Sequence, residues 1–352
     1  MKILLKILGI ILLLAVFSGG IYFFLNSSEG KTEIFNSISK PTAKPSIEKE
    51  VTFLAVGDIM LSRDVAARMS KNGKDGNYPF TKIKSLLAST DFNFGNLESP
   101  FSGTDAQDPD PNTFTFNAPT YAIKGLKENN FKVLNLANNH ALNQGVDGLL
   151  YTKKFLTSNS ILNVGAGADK DASWEGIVYE DTDSGIKIGF AGATYGPTSE
   201  NLAQISELQH LKETVDALKA KSDFVVITMH AGTEYQSEEN FAQIRFAKAA
   251  IDYGADMVIG AHPHWIQPYE TYKDKYIFYS LGNFVFDQDW SKETSEGLTL
   301  KISLSKIDGQ TTPKQVELIP VIIENNSQPR VATEAEKKKI LNEIGAENEM
   351  IK

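Results

Sequence analysis

Cysteine is absent from the 352 residues. Disulfide frameworks, zinc–thiolate sites and thiol catalysis are excluded with it, so any metal must be held by His, Asp, Glu, Asn or water. Histidine is also scarce, with five in the chain. Basic residues are outnumbered: 35 Lys+Arg against 44 Asp+Glu give a net charge of -9. That balance argues against nucleic acid and against bulk attraction to a polyanion, though it leaves room for a local basic site. No nucleotide-binding signature occurs. The "GAGAD" at 165–169 lacks a following Gly-Lys-Ser/Thr, and there is no Gly-x-Ser-x-Gly nucleophile elbow.

What is present begins with an apolar N-terminus. Lys2 and Lys6 precede an uncharged run from Ile7 to Leu25, 19 residues, close to the ~20 that span hydrocarbon. No Ala-x-Ala cleavage site follows. Residues 1–25 are therefore expected to be an uncleaved single-pass transmembrane anchor in the cell membrane. The two lysines place the N-terminus in the cytoplasm and the main domain outside. Residues 26–50 are polar and carry two prolines, as a tether would. The folded domain is expected over 51–326. A charged helical tail is expected over 327–352, with Ile340, Leu341 and Ile344 as its apolar side.

Within the domain, short β-branched runs alternate with segments of helical period, the pattern of an α/β fold. The expected strands are "VTFLAVGD", "DFNFGN", "FKVLNLAN", "ILNVGA", "IKIGFAGA", "FVVITMHAG", "MVIGAH" and "YIFYSLGNF". Their continuous apolar character implies sheets buried on both faces. "LTLKISLSKI" and "VELIPVIIEN" alternate more and have no helix between them, which predicts an antiparallel addition. In "NFAQIRFAKAAIDYG" the expected apolar stripe is Phe241, Ile244 and Ile251, interrupted by Lys248. The proline-rich, acidic stretch 105–119 reads as a long loop near the strand ends, where long loops are often functional.

Each apolar run stops at a group able to bind metal or move a proton. These groups are Asp58; Asn96 and Glu98; Asn138, Asn139 and His140; His230 and Glu234; His262 and His264; and Asn283 and Asp287. In an open α/β sheet, ligands bind outside the carboxyl ends of strands. Four of the five histidines lie there, with only His210 elsewhere. Imidazole with carboxylate suits zinc, iron or manganese better than magnesium or calcium. Pro263 should push His262 toward extended backbone. Alternation in an extended tripeptide would then aim His262 and His264 the same way, toward one metal or a close pair. Asp58 is a good ligand candidate, but Asp is also an ordinary helix N-cap. Asn139–His140 is equally a turn sequence. Glu98 is either a bridging carboxylate or a plain acid before a loop. Glu234 is expected to orient His230 from behind.

The ordered series "GDIMLSR", "NLESPFS", "FNAPTYAIKGLKENNFKVLNLANNHALNQGVDGLLYT", "GAGAD", "HAGTEY", "GAHPHWIQPYE" and "YSLGNFVFDQ" resembles the poly-γ-glutamate capsule-synthesis family of the CapA type, over roughly residues 51–290. That family is in turn similar to the calcineurin-like metallophosphoesterases. The resemblance implies a four-layer α/β/β/α sandwich with metal at the strand ends. It makes Asp58, Asn139, His230, His262 and His264 metal ligands and His140 the proton donor. Met60 stands where a ligand histidine belongs. Asn96 stands where the bridging aspartate would be, which leaves that role to Glu98. Asn138, Glu234 and Asn283 are then supporting or substrate-contacting residues.

Two classes of function follow. One is a metal-dependent hydrolase acting outside the membrane on a phosphoester, a capsule polymer or a wall peptide, with one or two divalent ions. The other is a non-catalytic, membrane-anchored subunit that binds an anionic polymer beside other capsule-synthesis subunits.

Overall fold

Alternating side chains along each buried strand divide between two faces, and that division builds the domain. In the strand Lys49–Ile59, Val51, Phe53 and Ala55 enter one core while Leu54 and Val56 enter another. In the strand Phe224–His230, Phe224 and Val226 share the first of these cores, and Val225, Ile227 and Met229 enter a third.

The computed structural model describes residues 21–23, 48–108, 110, 112–346 and 348–351. The chain divides into two units, Met1–Ile47 and Glu48–Lys352. In the first, only the helical residues 21–23 are described, so the expected span Ile7–Leu25 lies otherwise outside the described residues. Among the described residues no helix is long and apolar enough to cross a membrane.

The second unit is mixed α/β with two sheets. The strands are β1 (Lys49–Ile59), β2 (Phe92–Leu97), β3 (Phe131–Asn135), β4 (Leu162–Val164), β5 (Ile177–Glu180), β6 (Lys187–Thr194), β7 (Phe224–His230) and β8 (Met257–Ala261). They continue as β9 (Tyr269–Tyr272), β10 (Lys275–Phe278), β11 (Asn283–Val285), β12 (Glu296–Ile307), β13 (Gln310–Glu324), β14 (Gln328–Val331) and β15 (Met350–Ile351). The first sheet runs β14-β13-β12-β1-β2-β3-β4, with β11 beside β1 and β15 beside β13; the second runs β5-β6-β7-β8-β10-β9. β1 to β4 are parallel, as are β6, β7, β8 and β10, while β12 and β13 add antiparallel strands. The C-terminal segment holds more than a helix: β14 and β15 join the first sheet on either side of the helix Glu334–Glu343.

The core shared by both sheets is aromatic. Phe53 stacks on Phe92 at 5.1 Å between centroids, and Phe190 meets both edge-on at 6.2 and 6.3 Å. Each such fully buried side chain stabilises the fold by about 1.5–3 kcal/mol. At the end of this core β1 carries an extra residue: Ala55 pairs with Phe94, but Asp58, not Gly57, pairs with Asn96. This irregularity puts Asp58 in step with Asn96 and with Phe94, hence on the inter-sheet face. Gly57 is required there, because a Cβ would lie 1.9 Å from the Gly282 carbonyl oxygen.

The helix Phe241–Tyr253 corrects the sequence reading of its own face. Gln243, Phe246, Ala247, Ala250 and Ile251 are buried, while Phe241 is 78% exposed. A helix needs i, i+3, i+4 and i+7 on one side, and small alanines supply part of that stripe. Asn240 caps this helix through a capping box with Gln243. Asn240→Ala is expected to lower stability by about 1 kcal/mol, read as a lower urea midpoint at unchanged slope.

Candidate metal centre

The residues of the site continue the inter-sheet face past the last apolar side chains. Asn96 follows Phe92 and Phe94 on β2, Asn135 follows Val133 on β3, and His230 follows Val226 on β7. Glu98, two beyond Asn96, is on the same side. Asp58, Glu98 and His230 are all buried, and one potential ligand atom from each lies within 4.8 Å of the others.

Amides set the orientation of this group. Asn96 Nδ2 donates to Asp58 Oδ1 (2.8 Å) and lies 3.1 Å from His230 Nδ1. Asn96 cannot be reversed, because its Oδ1 accepts from Asn135 Nδ2 at 2.9 Å. His230 Nδ1 is therefore the acceptor, and its Nε2–H points to Asn139 Oδ1 at 2.8 Å. His262 Nδ1 is 3.1 Å from the same Nε2. His264 Nδ1 donates to Asn283 Oδ1 at 2.9 Å, Asn283 being held by its own donation to the Thr294 carbonyl. His140 Nδ1 lies 3.1 Å from the Phe114 carbonyl and 3.0 Å from Asn143 Oδ1, which also accepts the Phe116 amide. The proton of each of these two rings is thus on Nδ1, and both Nε2 lone pairs face Glu98 Oε1, at 3.8 Å (His140) and 3.9 Å (His264).

Among the described residues neither carboxylate oxygen of Glu98 has a hydrogen-bond partner, although both are buried. An orphaned buried carboxylate costs several kcal/mol unless something cationic meets it. Burial, then the charge of Asp58, pushes Glu98 well above the usual carboxylate range. Burial would raise Asp58 too, but the His264 hydrogen bond and the charges of His230 and His264 hold it at about 2. Burial, then His262, pushes His230 well below the usual imidazole range. This donor set fits a divalent cation: the two Glu98 oxygens and the Nε2 lone pairs of His140 and His264 converge without a proton from the described residues, beside Asp58 and His230.

The structure also places the remaining expected residues. Asn138 supports the turn, donating to the Leu97 carbonyl (2.8 Å) and accepting the His140 amide (3.1 Å). The His262–Pro263–His264 geometry corrects the expectation of an extended tripeptide. His262 and His264 have φ of 104° and 61°, left-handed values that cost non-glycine residues about 1–3 kcal/mol each. Their rings still reach one region, with centroids 6.3 Å apart. The His262 amide donates to Asp58 Oδ2 at 3.3 Å, and the Pro263 carbonyl accepts the Tyr235 amide, which ties the turn down. Glu234 does not orient His230. It is exposed, and both ring nitrogens of His230 already face Asn96, Asn139 and His262.

Several contributors escaped the sequence reading: Asn135, Asn143, Phe116 and Arg63. A polar residue on the buried alternation of β3 was the signal for Asn135. Arg63 stands inside the "GDIMLSR" run itself. His210 stacks on Trp174 at 6.2 Å beside a cavity of about 490 Å³ on the helix Leu208–Lys219, and no residue of the centre lines that cavity.

Residues 52–288 match the model of the family described as bacterial capsule synthesis protein PGA_cap. The chain is 32% identical to the capsule biosynthesis protein CapA of Bacillus anthracis, over 84% of this chain and 73% of that one. It is 31% identical to the PGA biosynthesis protein CapA of Bacillus subtilis, over 73% and 69%. It is also similar to the solved structure of a phosphatase from Mycoplasma pneumoniae, with 12% identity, a TM-score of 0.49, and 85% and 100% of the two chains covered. With two thirds of its length matched by one family model and a relative above 30% identity, the chain belongs to the bacterial capsule synthesis protein PGA_cap family.

Proposed function

We propose that the chain is a membrane-anchored, extracytoplasmic protein of capsule synthesis or export, serving a poly-γ-glutamate-type polymer through a metal-dependent hydrolase-type site. Family membership supports the biological setting, and the apolar run after Lys2 and Lys6 supports the location. The three cores, one shared by two sheets and one behind each, support the four-layer metallophosphoesterase-type reading. The observation that carries the chemistry is Glu98, a fully buried carboxylate whose two oxygens meet no donor among the described residues.

Asp58, Glu98, Asn139, His230, His262 and His264 would hold the ion or ions, with manganese, zinc or iron as the matching metals. When bound, such a metal supplies a Lewis acid and a water of lowered pKa. Asn96 fixes Asp58 and His230, and Asn283 fixes His264. With Nδ1 committed to the Phe114 carbonyl and Asn143, His140 exchanges its proton only at Nε2, the nitrogen facing the centre. The substrate would be a phosphoester, a γ-linked polymer or a wall peptide.

One observation favours the second reading, a non-catalytic polymer-binding subunit working with other capsule-synthesis components. Met60 is wholly buried where the phosphoesterase pattern has a ligand histidine, and its sulfur lies 3.1 Å from the Ser62 amide nitrogen. A complete two-metal set is then short of one ligand. Elemental analysis of the purified protein, before and after chelation, tests the metal. Turnover of phosphoesters and γ-linked glutamate peptides with added manganese or zinc tests the catalysis. The expected result is bound metal and turnover lost in His140→Ala. Bound metal without turnover above that control would leave the binding reading.

A further inference from the structure

Arg63 is held beside the metal centre in a way that the metal does not explain. Its φ is 49°, a strained value for a residue with a side chain, and strain of this kind persists where surrounding structure enforces it. The guanidinium is nearly buried, with 9% of the side chain exposed. Its Nε donates to Asp287 Oδ2 at 3.1 Å, and its Nη2 pairs with Asp287 Oδ1. Asp287 is itself steadied by the Asp64 amide at 3.1 Å. Nη1 donates to the Thr113 carbonyl at 3.3 Å. The guanidinium lies 4.8 Å from the centroid of Phe116, whose ring stacks on His140 at 4.1 Å. One aromatic ring therefore separates Arg63 from the proton-transfer histidine, and its positive charge acts on both His140 and Glu98.

A guanidinium has five N–H donors. Asp287 takes Nε and one from Nη2, on the side-on edge, and Thr113 takes one from Nη1. One N–H on each terminal nitrogen is left by these contacts. An end-on fork to a carboxylate or phosphate uses one N–H from each of these two nitrogens. Asp287 keeps that fork in place, so little side-chain entropy would be lost on binding. Arg63 also lines a cavity of about 550 Å³ with Ser70, Lys74, Gln107 and Tyr121. Asp64, Asp105 and Asp108 line it too, but Arg68 pairs with Asp64 and Lys74 with Asp105.

We propose that Arg63 is the anion anchor of the site, binding a carboxylate or phosphate of the substrate end-on while the adjoining cavity takes the next part of the same molecule. The identity of the reaction rests on the hydrolase-type reading; the binding does not. The test is calorimetric titration of the full manganese-loaded chain with inorganic phosphate and, separately, with glutarate. The wild-type chain is expected to bind one of the two, and that arm separates phosphate from carboxylate. Arg63→Lys keeps the charge but loses the fork, and is expected to weaken that probe about tenfold to a hundredfold, at unchanged manganese content. Arg63→Ala would leave Asp287 buried and unpaired, so Arg63→Ala/Asp287→Asn serves as the second variant and should show the same loss. Wild-type affinity in both variants, or no binding of either probe by the wild-type chain, overturns the proposal. Arg63-dependent binding without any turnover would sink the hydrolase reading and leave the anchor standing.

Discussion

In Glu98→Gln protein, manganese is expected to add no thermal stability, whereas in the wild-type chain it is expected to raise the melting temperature. An ion that binds only the folded state stabilises it in proportion to the logarithm of its concentration over Kd, about 4 kcal/mol at a thousandfold excess. Removing one anionic ligand from the Asp58–Glu98–His230 group should weaken the ion beyond the ~10–100-fold typical of supporting residues. The metal-free comparison should run the other way. Both oxygens of Glu98 are buried without donors among the described residues, whereas a glutamine amide would present donors to the lone pairs of His140 and His264, now 3.8 and 3.9 Å from Oε1. The metal-free variant is therefore expected to be more stable than the metal-free wild type by about 1–3 kcal/mol. Thermal melts of both chains, with and without manganese, give the four numbers. A variant that keeps the wild-type manganese shift takes Glu98 out of the centre.

That crossing of signs shows why the site could be read from the sequence at all. A polar residue directly after a buried apolar strand has no water to satisfy it, so it is costly unless another group meets it. Asp58, Asn96, Glu98, His230 and His262 stand out for that reason, and the strands they end were legible from continuous apolar runs. What stayed hidden depends on backbone geometry that residue types do not encode. The extra residue in β1 turns Asp58 to the inter-sheet face, and simple alternation would place it on the other. His262 and His264 converge through positive φ rather than through extension. Glu234 is exposed, in a segment where Gly232 and Tyr235 have φ of 137° and 59°, and it reaches the site through its charge on Glu98 rather than through His230. Arg63, at the start of the helix Arg63–Lys71, has the look of a surface charge, because its partner Asp287 is 224 residues away.

The same buried imidazoles should make the metal-free fold sensitive to mild acid. Burial, with the charges of His264 and Arg63 added, pushes His140 down to about 4 against its hydrogen bond to Asn143. Burial, then His264, does the same for His262, also to about 4. Burial depresses His230 as well. These rings stay neutral in the folded chain while the unfolded chain protonates near 6.5. Below that pH the unfolded state binds more protons, so stability is full above 6.5 and falls as the pH drops toward 4. A depression from 6.5 to about 4 amounts to about 3 kcal/mol for His140, and to less for His262, whose edge reaches water. Glu98 opposes this: its raised carboxyl takes up a proton in the folded state first and steadies the fold as pH falls. The metal-free Glu98→Gln chain removes that opposing group, and its urea midpoint is expected to fall clearly from pH 7 to pH 4.5. Adding His140→Gln should flatten the fall, and an unchanged slope would show that His140 is not held neutral by the fold. The neutral imidazole that burial enforces near pH 7 is also the form that coordinates a cation, so the window that weakens the fold is the one in which the centre should release its metal.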